Sequence, residues 1–333
     1  MDLSTTYLGF KLPHPLIAGA SPLGGNLDTV RQLEDAGAAA IVMPSLFEEQ
    51  IIREQLATAD YMDSPSESFA EAITYFPNPE EFRLGPQTYI EQIRRTKAAV
   101  KIPVISSLNG STPGGWLEYA KLMQDAGADA LELNLYALAA DPKETCEMVE
   151  HRSLEIVREV KNAVTIPVAV KLSPYYSCLA NMAQKLDEIG VAGLVLFNRF
   201  YQPDIDVENL EVERSLELSN SYDLRLRLRW LAVLSEKIKA SLAATGGVHT
   251  AVDAIKAVMT GAHAVQMVSA LLQNGPSYLR TVHDVMVAWM ESHEYESLRQ
   301  MQGSMNLTRC PDPKAYERAN YMRVLLDWRP KKY

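Results

Sequence analysis

Cysteine is scarce in this chain of 333 residues: Cys146, Cys178 and Cys310 stand far apart, with no C-x-x-C pair. That spacing excludes a structural zinc or iron–sulfur site carried by this chain alone, and the odd count suits free thiols in a reducing compartment. No metal is expected. Long apolar runs are missing as well. No stretch approaches the ~18 consecutive apolar residues of a membrane span. The start, M-D-L-S-T-T-Y-L-G-F, has neither the basic opening nor the apolar core of a signal peptide. The expectation is a cytoplasmic protein with no membrane partner. Positive charge is outnumbered, with 32 Lys and Arg against 42 Asp and Glu for a net charge of −10. Such a balance argues against nucleic acid as a partner and is compatible with a small-molecule substrate. Solenoid repeats and low-complexity segments are absent too.

What the chain does have is a rhythm. Short apolar strands are expected at 15–20, 39–43, 103–108, 130–135, 167–172, 193–197, 241–245 and 264–268. Helical patterns separate them, and each strand ends in Ser, Asn, Lys or Gly. The same helix–Gly–strand punctuation recurs in D-A-G-A-A-A-I-V (35–42), D-A-G-A-D-A-L-E (125–132), E-I-G-V-A-G-L-V (188–195) and M-T-G-A-H-A-V-Q (259–266). This is the repeat of βα units with right-handed crossovers. The fold class is α/β. An open doubly wound sheet alternates in the same way, but eight units favour the closed form, a TIM (β/α)8 barrel, over residues 1–290. A hairpin at 3–12 precedes it and can plug the barrel's bottom. After strand 2 the rhythm breaks into a long acidic insertion, 47–86, read either as a lid over the C-terminal face or as a solvated excursion. Residues 291–333 form a helical extension, with helices at 293–301 and 314–326, packed on the barrel.

The stretch 241–272 is the most informative. Ser241–Thr245 reads as a strand, Gly246-Gly247 as a turn that admits a ligand close to the backbone, and Ala251–Met259 as a helix capped by Thr250. A second strand follows, with Ser269 at its end. In a (β/α)8 barrel, strands 7 and 8 in this arrangement build a phosphate site.

Lys171 lies in an otherwise apolar strand, and buried lysines are rare without a partner. At a strand end it can form a Schiff base, bind phosphate, or set a positive charge against an electron-rich cofactor. The plainer reading lets its ammonium reach solvent at the rim. Asn109, Asn134 and Asn198 end strands 3, 4 and 6, where three amides at one rim can read the donors and acceptors of a ring. Glu132 is better suited to pairing with a buried polar group than to acting as a base. His249 lies near the phosphate turn, and His263 is expected at the surface.

Taken together, E-L-N-L (132–135), V-K-L-S-P-Y (170–175), A-G-A-S-P (18–22) and A-T-G-G-V-H-T-A-V-D-A-I-K-A-V-M-T-G-A-H-A-V-Q-M-V-S-A-L (244–271) resemble the dihydroorotate dehydrogenases, FMN-dependent TIM barrels. The resemblance covers residues 5–290. It implies that Ala20, Ser21 and Ser45 lie along the flavin, that Asn109 and Asn134 face flavin or substrate, and that Asn198 touches the substrate ring. Lys171 would stand by the N1/O2 edge of the isoalloxazine, and Gly246, Gly247 and Ser269 would hold the FMN phosphate. It further implies a CH–CH oxidoreductase of pyrimidine metabolism, a homodimer, and a possible electron-transfer partner chain. The departures are specific. The position of the usual Cys or Ser base is Ala137, within Y-A-L-A (136–139), which leaves Tyr136 and Cys178 as candidate proton acceptors. Pro44 replaces a lysine beside Ser45, and S-N-S-Y-D (219–223) replaces a glycine-rich segment. Two other readings remain: a Schiff-base lyase or aldolase acting through Lys171 on a phosphorylated substrate, and a non-catalytic flavin-binding protein.

Overall fold

The computed structural model describes residues 1–51, 86–110, 116–136, 138–200, 202–213, 215–327 and 329. Most of the expected insertion, residues 111–115 and Ala137 lie outside the described residues.

Two short strands, β1 (Thr5–Tyr7) and β2 (Phe10–Leu12), form an antiparallel hairpin. The barrel strands are β3 (Leu16–Ala18), β4 (Ile41–Phe47), β5 (Val104–Gly110), β6 (Ala130–Leu135), β7 (Val168–Leu172) and β8 (Gly193–Leu196). A small outer hairpin, β9 (Asp204–Asp206) with β10 (Glu211–Glu213), interrupts the series before β11 (Ser241–Thr245) and β12 (Ala264–Met267). The eight barrel strands are parallel and close on themselves in the order β3-β4-β5-β6-β7-β8-β11-β12. The expected (β/α)8 barrel is therefore what the chain forms.

The helices of the first half are α1 (Leu27–Asp35), α2 (Pro86–Ala99), α3 (Trp116–Asp125), α4 (Cys146–Ala163) and α5 (Leu179–Ile189). The second half adds α6 (Leu224–Leu234), α7 (Ala251–Met259), α8 (Ser269–Asn274), α9 (Tyr278–Ser292), α10 (Leu298–Met301) and α11 (Asn320–Leu326). Their starts follow capping chemistry. The Asn26 side chain accepts from the N–H groups of Asp28 and Thr29, and Thr145 accepts from Met148. Thr250 and Asp253 form a reciprocal capping box at α7.

The strands bury both faces, so the sheet separates two apolar layers. Outward side chains such as Leu16, Leu131 and Val168 pack under the helices. Inward ones include Ile17, Val42, Ile105 and Val195, with Ala130, Ala169, Ala243 and Ala264. Those four alanines leave space at the bottom, and Tyr7, Leu8 and Leu12 of the hairpin fill it. A Cβ on Gly193 would stand 2.5 Å from Leu8 Cδ2 and 3.2 Å from the Ser241 carbonyl. The plug therefore depends on a bare backbone there.

Sequence and structure part at several places. Strand β4 does not stop at residue 43. Proline has no N–H to give to the ladder, and the β4–β5 register shifts between Val42 and Ser45. The shift packs Pro44 beside Gly24, turns Ser45 toward the barrel axis, and carries the strand on to Phe47. The helix expected over 293–301 is only α10, because residues 293–297 form a turn and the Ser297/Gln300 capping box starts the helix late. The helix expected over 314–326 is divided into a 3-10 turn, Pro313–Tyr316, and α11. His263 is only partly exposed: Leu242 N–H donates to its Nδ1, and burial lowers its pKa. In the tail, Leu298, Met301, Asn306 and Cys310 are buried, whereas α11 exposes Tyr321, Met322, Leu325 and Leu326.

His14 ties the barrel to α1. Its Nε2–H donates to the Gly37 carbonyl at 2.7 Å, and its Nδ1 accepts from Leu16 N–H at 3.2 Å. Only the neutral ring satisfies both bonds. Burial, followed by the neighbouring His283, pushes its pKa down to about 4. Above the ordinary value near 6.5 the ring is neutral in both folded and unfolded chains, so stability is full there. As pH falls from about 6.5 toward 4, only the unfolded chain takes the proton, and stability is lost. His14→Gln, which keeps a donor and an acceptor, will flatten that part of a stability-versus-pH curve measured by urea unfolding. For the plug, Gly193→Ala will cost about 1–3 kcal/mol, read as a lowered midpoint in the same assay.

Candidate active site

The inward residues change character from bottom to top. Above the alanine layer lies Glu132, which is 1% exposed. Lys171 Nζ donates to its Oε1 at 3.2 Å, and Gln266 Nε2 to its Oε2 at 2.6 Å. These three side chains come from β6, β7 and β12, so the polar chain spans the barrel. Lys171 does not run out to solvent, since it is 8% exposed and ion-paired. Below the chain, the Tyr7 hydroxyl is buried next to Gln266. Burial first, and the Glu132 charge second, hold Tyr7 well above the usual phenol pKa.

One level up, the strand register aligns Asn109 with Asn134 and Asn134 with Lys171. The Asn134 amide donates to Ser107 Oγ at 2.8 Å and to Ser45 Oγ at 3.3 Å, and the two hydroxyls share a 2.7 Å bond. Tyr89 on α2 locks Ser107 from outside, accepting from its N–H and donating to its carbonyl. Asn134 is therefore held in one orientation by Ser45 and Ser107, while Asn109 is buried at the end of β5.

The C-terminal mouth opens into a cavity of about 340 Å³. Of the residues singled out by sequence, Ala20, Lys171, Asn198, Gly246 and Ser269 line it. Ser21 is buried next to Ala20, ahead of a 3-10 turn at Pro22–Gly25. Gly246 and Gly247 have φ of +82° and +81°, a region in which any side chain is strained. The 219–223 loop presses on this turn. Gly247 N–H donates to Ser219 Oγ at 3.1 Å, and Ser269 Oγ accepts from both the N–H and the hydroxyl of Ser219. Having accepted twice, Ser269 keeps its own hydrogen for another acceptor.

A second cavity, also about 340 Å³, adjoins the first and shares Tyr175 and Phe200 with it. Tyr136 lines it, stacked on Phe200 at 4.5 Å between ring centroids. Cys178 is exposed, precedes α5 and lines neither cavity. Ala137 lies outside the described residues. Among the described residues no group of metal-ligating side chains is gathered, and no helix is long and apolar enough to cross a membrane.

Sequence reasoning missed Gln266, which completes the buried chain, and Arg227, which enters the mouth cavity from α6. The alternating L-R-L-R-L-R of 224–229 hid Arg227. Helical spacing was the available signal: Arg227 is three residues after Leu224 and four before Leu231, both buried, so it shares their face.

The family model described as "Dihydroorotate dehydrogenase" matches residues 83–290. The chain belongs to the dihydroorotate dehydrogenase family. Among its relatives is the "Dihydroorotate dehydrogenase B (NAD(+)), catalytic subunit" of Thermoplasma acidophilum, 29% identical over 91% of this chain and 98% of the relative. The "NAD-dependent dihydropyrimidine dehydrogenase subunit PreA" of Escherichia coli is 23% identical over 92% of this chain and 77% of that protein. The chloroplastic "Dihydropyrimidine dehydrogenase (NADP(+))" of Arabidopsis thaliana is 22% identical over 91% and 76%.

The buried chain can be probed by removing its members in turn. Glu132→Ala leaves the Lys171 ammonium without its carboxylate and will cost about 3–5 kcal/mol of stability. The double variant Glu132→Ala/Lys171→Met removes the stranded charge and will recover much of that loss in guanidinium unfolding.

Proposed function

We propose that this member of the family is an FMN-dependent dehydrogenase acting across a carbon–carbon bond of dihydroorotate or a related dihydropyrimidine. Its family and relatives make it an oxidoreductase of this superfamily. The observation that carries the finer reading is the mouth cavity. It sets the Lys171 ammonium, the glycine turn and the Ser269 hydroxyl around one space.

FMN fits this donor set. A flavin needs a positive or donating group at its polar ring edge and donors for a phosphate dianion. Lys171, held by Glu132, meets the first need, and Ser269, with one hydrogen still to give, contributes to the second. Bound FMN supplies an acceptor for hydride. The protein's own part is positional and electrostatic. Lys171 keeps a positive charge in a water-poor wall, where it acts more strongly than in bulk solvent. Asn198 offers its amide to the substrate ring, and Phe197 and Tyr175 add aromatic surface to the cavity lining.

Removing a hydride and a proton from adjacent carbons needs a proton acceptor. Ala137 has no such group. Of the two candidates, Tyr136 lines the second cavity, which adjoins the mouth, whereas Cys178 lines neither, so Tyr136 is the better placed of the two. The Thermoplasma and Escherichia relatives are named as subunits, which supports an onward electron carrier on a separate chain. A homodimer and a cytoplasmic role in pyrimidine biosynthesis complete the reading. The Schiff-base alternative is weaker, because an ammonium paired with Glu132 is a poor nucleophile.

The purified protein will show a flavin absorption band, released as FMN on denaturation. Anaerobic dihydroorotate or dihydrouracil will bleach it, and orotate or uracil formation will follow with fumarate, NAD⁺ or a dye. A colourless protein that takes up no FMN would overturn the reading. A flavin that neither compound bleaches would confine the chain to flavin binding.

A further inference from the structure

Arg227 enters the mouth cavity, and among the described residues it is in no direct ion pair. Its Nε donates to the Thr245 carbonyl at 3.0 Å and its Nη1 to the Asp223 carbonyl at 2.9 Å. Both acceptors are neutral, and among the described residues neither Arg227 nor the neighbouring Arg199 forms an ion pair with a carboxylate. Asp223 lines the same cavity and its charge favours the Arg227 guanidinium, but it forms no direct ion pair with it; its Oδ2 accepts the Asn220 N–H. The two carbonyl bonds fix the guanidinium plane and leave Nη2 over the glycine turn. A Cβ on Gly246 would stand 2.9 Å from that nitrogen.

Arg199 lines the same cavity. Burial lowers the pKa of Arg227, Asp223 opposes that effect, and Arg199 adds to it. Two guanidinium groups, half-buried Arg227 and exposed Arg199, share the cavity with the single carboxylate of Asp223, so the wall carries excess positive charge that favours an anionic ligand. The backbone around them points the same way. The Gly247 N–H is spent on Ser219 Oγ, and the Ser219 N–H on Ser269 Oγ. Two amide donors at the turn are thus used inside the protein, and the 219–223 segment has no glycine through which to present others.

We propose that Arg227, with Arg199 outside it, grips the phosphate dianion of FMN, supplying by side-chain charge what the 219–223 segment does not supply by backbone amides. The inference rests on the FMN reading above and adds a residue to it. Thr245 and Asp223 already aim the Arg227 fork, so little rotamer freedom remains to be lost on binding.

Two flavins that differ only in the phosphate separate the possibilities. Flavin-stripped protein is titrated with FMN and with riboflavin, following quenching of flavin fluorescence, for the wild type, Arg227→Gln, Arg227→Lys and Arg199→Gln. Arg227→Gln will weaken FMN about ten- to a hundredfold, the range of a charged hydrogen bond, and leave riboflavin unchanged. Arg227→Lys will retain part of the preference, and Arg199→Gln will lose a smaller part of it. Circular dichroism reports whether each variant is folded; should Arg227→Gln fail to fold, the other two decide. Equal losses for both flavins, or no loss for FMN, would overturn the proposal while leaving the flavin reading intact. A wild type that binds neither flavin would remove both.

Discussion

The ion pair between Lys171 and Glu132, completed by Gln266, is the constraint on which the upper half of the barrel depends. A parallel barrel is a packed core, and a lysine in it is tolerable only with a partner. Here the partner comes from the adjacent strand and the closing amide from across the barrel. The polar chain marks a boundary. Below it, alanines and the Tyr7–Leu8 plug make a close-packed apolar floor; above it, amides, hydroxyls and cations line an open cavity. A site that holds charge above an apolar floor needs this layer, because an unpaired charge next to that floor would be neutralised or expelled.

The two ends of the mouth are held by different physics. On the β4–β6 side, Ser45, Ser107 and Asn134 form a closed hydrogen-bond network, fastened from behind by Tyr89. Such a network fixes orientation with no net charge. On the β8–β12 side, the glycine turn, Ser219, Ser269 and Arg227 lie against one another with surplus positive charge. The neutral network is buried beside the mouth, and the charged side, which lines the cavity, suits an anion.

The fold was legible because its signals are local. The apolar strands, the glycine that recurs after four of the helices and the cap at Thr250 act over a few residues, and α5, α7 and β11 begin and end where the pattern placed them. Misplaced boundaries have tertiary causes. Pro44 reads as a strand end, yet the barrel absorbs it as a register shift, because continuing to Phe47 pairs Ser45 with Ser107 and Phe47 with Asn109. The turn at 293–297 broke a helical pattern because the Ser297/Gln300 box nucleates a separate turn of helix.

Residue type and position within one βα unit were enough for the scaffold and most of the rim: a (β/α)8 barrel, Lys171 in a strand, amides at the strand ends, and the Gly246-Gly247 turn with Ser269. What those residues are joined to emerged from the folded molecule alone. Closure of the barrel brings Gln266 to Glu132 across 134 positions of chain. Docking of α6 against β11 brings Arg227 to the glycine turn. Pairing between distant segments costs loop entropy that no local signal records, so the partners of a charge are fixed by the closed fold and not by the strand that carries it.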